Sequence, residues 1–302
     1  MGNLHIACIA VWAIMLHIVS CIQAVAQEVG QYGFLEIPVS PRASALGGSA
    51  ISVVEPEVAL VDQNPALLCR EMAGQLSLSY INYVSGVNLG YASFSGRFLS
   101  EGAWAGSARY VDYGSFDGYD QNGVSTGCFS AKDIVLGGSV GYPLNGRWNI
   151  GATIRAIYSH YDIYSAFALG VDVGVNWYNE VAGCSFSAVV TNLGGQLKSF
   201  DDRYQHLPTQ AAVAYSKEVE HLPLCVSLSA VNLFDWDIDF KRHFVVGAEW
   251  IISDSLYFAA GYNFSHFSVG GGFHYRKWNF QLSYARYHSL SGSLNFGLSY
   301  SI

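Results

Sequence analysis

From Gln75 to the last residue the chain alternates with a period of two, with large apolar side chains on one face and Gly, Ser, Ala or Asn on the other. In the last such run, Leu294, Phe296, Leu298, Tyr300 and Ile302 share one face, and Asn295, Gly297, Ser299 and Ser301 share the other. Strand side chains point alternately to opposite faces, so each run is a strand with one greasy side and one small, polar side. The same pattern recurs at Trp148 to Tyr158, Phe167 to Trp177 and Phe280 to Ala285. A water-soluble sandwich alternates too, but shows Lys, Glu and Thr to solvent rather than Gly and Ser.

Composition says where the greasy side goes. Half of the 302 residues are hydrophobic (51%) and only 13% are charged, against about 25% in soluble domains. Beyond the first segment no apolar run reaches the roughly 18 residues of a spanning helix. Interleaved apolar residues with little charge fit a membrane β-barrel, with hydrocarbon outside and a polar lumen inside. A net charge of −8 without a Lys/Arg cluster argues against nucleic acid as a partner.

Three regions follow. Residues 1–26 read as an export signal: an apolar stretch from Ile6 to Val19, then Ala24-Val25-Ala26 before Gln27, though the leading residues hold His5 in place of a Lys or Arg. A competing cleavage before Cys21 would make a lipoprotein. Residues 27–74 contain four of the seven prolines (Pro38, Pro41, Pro56, Pro65) and alternate poorly, so this segment is expected to be a compact plug with helical turns near Val58 to Asp62 and Ala66 to Met72. Residues 75–302 form the barrel. The four cysteines of the mature chain, Cys69, Cys128, Cys184 and Cys225, are too widely spaced to demand a disulfide or a metal site.

About 14 strands are expected, starting near Leu76, Val87, Trp104, Asp133, Trp148, Ala166, Ser185, Gln210, Leu224, His243, Leu256, His266, Trp278 and Leu294. An even number returns both barrel ends to the periplasm. The three longest gaps, Asp112–Ala131, Asn192–Thr209 and Val231–Arg242, all follow odd-numbered strands and so lie on one side. The even gaps hold short turn sequences such as Pro143-Leu144-Asn145-Gly146 and Arg276-Lys277. Trp148, Trp177, Trp250 and Trp278 fall at or near strand ends, where amphipathic rings favour the headgroup region. The terminal octet Asn295 to Ile302 also has the form of a barrel-assembly signal, with Ile in place of the usual final aromatic.

Within this register Arg109, Arg155, Asp172 and Glu249 point into the lumen. Buried charges persist only when paired or hydrated, so these four are expected to form a network with each other or with the plug; a selectivity filter is the sharper alternative. No catalytic site is expected. His160 with Asp162, Ser265 with His266, His288 with Ser289, and Asp201, Asp202 and His206 are sequence neighbours, and strand neighbours face opposite ways. No cofactor or metal is implied. The long outer segments carry aromatic residues at Phe116, Tyr119, Phe200, Tyr204, Phe234 and Trp236, which are the candidate contacts to a surface partner.

The plug segment carries a resemblance. Tyr32-Gly33-Phe34-Leu35-Glu36-Ile37-Pro38-Val39-Ser40-Pro41-Arg42-Ala43-Ser44-Ala45-Leu46-Gly47-Gly48, then Asp62-Gln63-Asn64-Pro65-Ala66-Leu67-Leu68 and Leu76 to Tyr83, is similar to the PorQ family of the type IX secretion system. The Gly47-Gly48 and Asn64-Pro65-Ala66 elements also resemble the wider PorV and FadL-like group of outer-membrane barrels. The resemblance implies a non-enzymatic, 14-stranded bacterial outer-membrane barrel in contact with membrane lipid. It implies that the barrel anchors a PorZ-like partner of the cargo attachment complex, alongside PorU and PorV, with Asn64, Pro65 and Ala66 serving as plug structure. A FadL-like channel for hydrophobic small molecules is the alternative, and needs a lumen pocket lined by large apolar side chains.

Overall fold

A computed structural model describes residues 32–119, 125–200, 204–235, 239–253, 255–288 and 291–302. The export signal, residues 27–31, Asp201, Asp202, Trp236 and Ser289 lie outside the described residues. Fourteen antiparallel strands close into one barrel, each bonded to its sequence neighbours and β1 to β14. They are β1 (Gln75–Asn82), β2 (Asn88–Phe98), β3 (Gly102–Tyr119), β4 (Ser125–Asn145), β5 (Trp148–Tyr161), β6 (Tyr164–Asn179) and β7 (Cys184–Lys198), followed by β8 (Gln210–Glu218), β9 (Leu224–Ala230), β10 (Phe244–Ser253), β11 (Leu256–Asn263), β12 (His266–Tyr275), β13 (Trp278–Tyr287) and β14 (Gly292–Ser301).

Burial runs opposite to that of a soluble protein. Along β13 the apolar Leu282 is 48% exposed and its neighbour Ser283 is 1% exposed. Trp104, Leu136, Ile154, Phe258, Phe280 and Phe296 likewise face outward. A closed ladder satisfies every strand's backbone donors and acceptors, the condition for standing in hydrocarbon, and the outward apolar belt is the matching surface.

The barrel is uneven in height. β8 has 9 residues and β9 has 7, below or near the roughly 9–11 that a tilted spanning strand needs, whereas β4 has 21. The excess of β3 and β4 forms a hairpin that stands clear of the wall. Asp112–Ala131 is therefore not a loop, as its Asp, Gly and Ser content suggests, but largely paired strand: Phe116 lies opposite Phe129, with ring centroids 5.4 Å apart. Cross-strand aromatic pairing outweighs the turn-like residues here. A register shift between Asp112 and Ser115, with Gly114 at φ 82°, absorbs them. Strand β7 similarly runs past Asn192, which takes a positive φ of 58° where the ladder to β6 skips a residue.

Short turns gather at the end where β1 begins and β14 ends, here the inner rim; the protruding hairpin and the segments after β7 and β9 gather at the opposite, outer rim. Trp148 pairs across the inner rim with Trp177, and Trp278 packs on Tyr300 at 4.6 Å.

The described residues before Gln75, 32–74, contribute no strand and fill the lumen. A short helix, α1 (Pro41–Ala45), and 3-10 turns at Gly33–Glu36, Val58–Asp62, Pro65–Leu67 and Arg70–Met72 are joined by irregular chain. Proline fixes the first turns of Pro41–Ala45 and Pro65–Leu67, and Ser40 and Asn64 cap them by accepting from the Ala43 and Ala66 backbone N–H groups. Under the outer mouth the packing is apolar: Tyr32, Phe34 and Val39 meet Ile81, Val111 and Ile157 of the wall.

Candidate functional site

The chemistry of this chain is concentrated where the plug meets the lumen wall. Glycine prepares the seats. A side chain on Gly151 would overlap the backbone of Pro65, one on Gly174 the side-chain oxygen of Asn64, and one on Gly261 the backbone at Leu46 and Gly47. Only the missing Cβ lets plug and wall approach so closely. Gly47, at φ 86°, then donates its N–H to Ser268 Oγ at 3.0 Å and accepts from Asn263 Nδ2 at 2.9 Å. Asn64, fully buried, donates to the Ile51 carbonyl at 2.7 Å.

Two ion-pair clusters fix the plug electrostatically. In the first, Asp62 accepts from Arg109 Nη2 at 2.5 Å and from Arg155 Nη1 at 2.8 Å, and Arg155 Nε reaches Asp172 at 2.6 Å. Arg109 also donates to the Phe34 carbonyl at 2.8 Å. Burial works to raise the pKa of Asp62, but Arg109 and Arg155 outweigh it and hold the carboxyl below its usual value. In the second cluster, Arg42 of α1 binds Glu57 at 3.1 Å and Glu249 at 2.8 Å, and its guanidinium lies 4.0 Å over the Tyr257 ring. Ser40 Oγ donates to Glu57 at 2.5 Å and Gln281 Nε2 donates to it at 2.8 Å.

All four lumen charges read from the strands, Arg109, Arg155, Asp172 and Glu249, thus face inward and are bound up with the plug. Asn64, Pro65, Ala66, Gly47 and Gly48 lie on the plug side of the same interface; Gly48 faces His266. What strand periodicity does not reveal is the other half of each pair: Asp62, Arg42 and Glu57. A signal for them exists, since a plug bearing charges opposite to those of the wall is the cheapest way to keep both buried.

Cavities remain beside the plug. One of about 510 Å³ opens at the inner rim between Arg42, Glu57, Glu249, His274, Lys277 and Asn279 and is lined largely by charged and polar groups. A second, about 100 Å³, lies between the plug and β7–β8, near Glu36, Asp62, Asn192 and Gln210. Neither is the apolar pocket that a hydrophobe needs.

The residues considered for catalysis are dispersed. His288 hydrogen-bonds the backbone oxygen of Ser265 at 2.8 Å. His266 is buried against the ring of Tyr287 at 4.7 Å.

Candidate partner-contact residues sit at the outer rim in different settings. Phe116 is exposed on the protruding hairpin and Tyr119 ends β3. Phe200 stacks on Tyr161 at 5.1 Å and Tyr204 is exposed. Phe234 is half-buried in the segment after β9.

No protein-family model and no curated protein matches the sequence. Solved structures do match the fold. The Pseudomonas putida toluene transporter TodX aligns with a TM-score of 0.57 at 12% identity, over 86% of this chain and 96% of that one. A deltaS2 mutant of the TodX monoaromatic hydrocarbon channel gives 0.61 at 12% identity, over 88% and 98%. A Pseudomonas aeruginosa FadL homologue gives 0.56 at 10% identity, over 87% and 98%. The chain therefore has the fold of a FadL-like outer-membrane barrel: fourteen antiparallel strands, closed, with a non-strand N-terminal segment inside.

Proposed function

We propose that this barrel is a non-enzymatic outer-membrane anchor that works through its outer rim, holding a PorZ-like partner of a type IX cargo attachment complex. The filled lumen is the observation that carries this reading. Asp62 and Arg42 tie the plug to opposite sides of the wall, glycine seats hold it at close range, and apolar packing closes the outer mouth. A barrel so occupied offers its surface, and the β3–β4 hairpin with exposed Phe116 and Phe129 is the largest projection on it. The sequence resemblance of Tyr32 to Tyr83 is what supports a PorZ-like partner in this reading.

The test is retention of surface proteins by the tagged barrel extracted from its own outer membrane. The wild-type chain is expected to retain an attachment-complex protein. Exchange of the 112–131 hairpin and the segments after β7 and β9 for short turns should release it while the barrel stays folded. Undiminished retention would refute the assignment.

A second reading, a channel for hydrophobic small molecules, is favoured by the fold match, because the aligned TodX structures are a toluene transporter and a monoaromatic hydrocarbon channel. The charged lining of the inner-rim cavity and the small size of the one beside β7–β8 weigh against it. Loss of hydrophobe uptake in a strain lacking this chain, with surface attachment intact, would decide for the channel.

A further inference from the structure

The lipid-facing wall is not uniform. Strands β10 to β13 carry, at the outer rim, a row of outward aromatic rings. Phe244 begins β10, and Val246 two residues on pairs with Tyr262 of β11; Tyr262 in turn pairs with Phe267 of β12, and Phe267 with Arg286 of β13. Phe264 packs edge-on against Tyr262 at 5.4 Å. The 3-10 turn Phe240–His243 precedes β10, and it returns Phe240 onto Phe244 with ring centroids 5.1 Å apart. Phe240 is 74% exposed and extends the contiguous apolar row beyond the strand ends.

Cations bracket this row. Lys241 and Arg242 follow Phe240 at one end, both exposed. At the other, Arg286 shares the outward face of β13 with Leu282 and Tyr284, and exposed His288 lies one step beyond. None of the three Lys and Arg side chains forms an ion pair among the described residues. The nearest acid in sequence, Asp239, accepts from the Lys241 backbone N–H and caps the turn. Among the other described outer-rim acids, Asp235 precedes the turn in the segment after β9, while Asp112 and Asp117 on β3 and Asp162 after β5 lie half the barrel away.

We infer that this face, from Phe240 to Arg286, binds an anionic, phosphate-bearing lipid of the outer leaflet. The rings lie against its acyl chains at the headgroup boundary, and Lys241, Arg242 and Arg286 take its phosphates. The arrangement follows the ordinary physics of the interface: amphipathic rings settle at headgroup level, and long cationic side chains extend from hydrocarbon toward phosphate. Guanidinium adds directional, paired hydrogen bonds to phosphate oxygens. Charge complementarity selects the occupant, because a zwitterionic lipid would satisfy the rings without rewarding three cations that form no ion pair among the described residues.

The folded full-length mature barrel is purified in a neutral detergent and mixed with diphosphorylated lipid A, its dephosphorylated form, or phosphatidylcholine, and the lipid retained is counted by native mass spectrometry. Wild type should retain the phosphorylated lipid about tenfold or more over the other two, a preference that falls as salt is raised. The variant K241Q/R242Q/R286Q should lose the preference, and Lys132→Gln, on the far side of the barrel, should keep it. Folding of each variant is read from its heat-modifiable migration. Should the triple variant fail to fold, Arg286→Gln alone and the wild-type salt titration carry the decision. Equal retention of phosphorylated and dephosphorylated lipid by wild type, a preference insensitive to salt, or an unaltered preference in the folded variants would overturn the inference.

Discussion

Arg42 donates from one guanidinium nitrogen to both carboxylate oxygens of Glu249, at 2.8 and 3.1 Å, so a five-residue plug helix is moored to the middle of a barrel strand 207 positions later. With Glu57 on the Nε side, one cation neutralises carboxylates of the plug and of the wall together. Arg42→Met strands Glu57 and Glu249 without their counter-ion, and breaking a buried pair in this way costs about 3–5 kcal/mol. The expected result is a lower unfolding midpoint in detergent. The double variant R42M/E249Q should recover part of the loss, measured in the same titration.

Asp62 gives the plug an acid-side response to pH. Burial favours its neutral form, but Arg109 and Arg155 hold its folded-state pKa below the unfolded value of about 3.9. A depressed carboxylate stabilises the folded state fully above the unfolded pKa, and that contribution disappears as pH falls through the folded one. The Asp62 contribution to protease protection of the plug should therefore be constant from neutral pH to about 5 and be lost only below about pH 4. In Asp62→Asn, protection should already be reduced at neutral pH and this acidic step should vanish. Limited proteolysis across the pH series checks both.

The glycine seats make a steric prediction. Gly174→Leu drives a side chain into the oxygen of Asn64, which caps the Pro65–Leu67 turn, and Gly151→Val meets the Pro65 backbone. Overpacking of this kind costs about 1–3 kcal/mol, and more where backbone must move. Both variants should show raised single-barrel conductance in planar bilayers as the plug shifts. Gly138→Ala, with open space around its Cβ position, should conduct like wild type.

On the lipid side the cost of a charge depends on depth. Leu282→Arg places a cation near the middle of β13's outer face and should cost about 2–4 kcal/mol in folding into lipid vesicles, whereas Leu256→Arg, at the start of β11 by the inner rim, should cost about 0–1. Equal penalties would contradict the assigned membrane position.

The barrel was legible in the sequence because lipid imposes its period directly: outward Leu282 and inward Ser283 alternate for one physical reason all along the wall. Expected starts at Trp148, Gln210, Leu224, Leu256, His266 and Trp278 coincide with the observed strands. The hairpin beyond Asp112 was not legible, since above the membrane both faces of a strand meet water and the greasy–polar alternation lapses. The wall charges could be read from strand parity, but their partners Arg42 and Asp62 sit in irregular chain where no period assigns a direction. Pairing between them is a long-range relation that only the folded lumen reveals.

Asn295 of β14 donates to the carbonyls of Pro38 and Val39 at 3.3 Å, and Gly297 lies against the ring of Pro41, while the same strand zips to β1 from Gln75–Ser301 to Asn82–Leu294. The closing seam is thus lined from within by chain made long before it. Seam and cork therefore share contacts: β14 cannot take its final register on β1 without meeting Pro38, Val39 and Pro41.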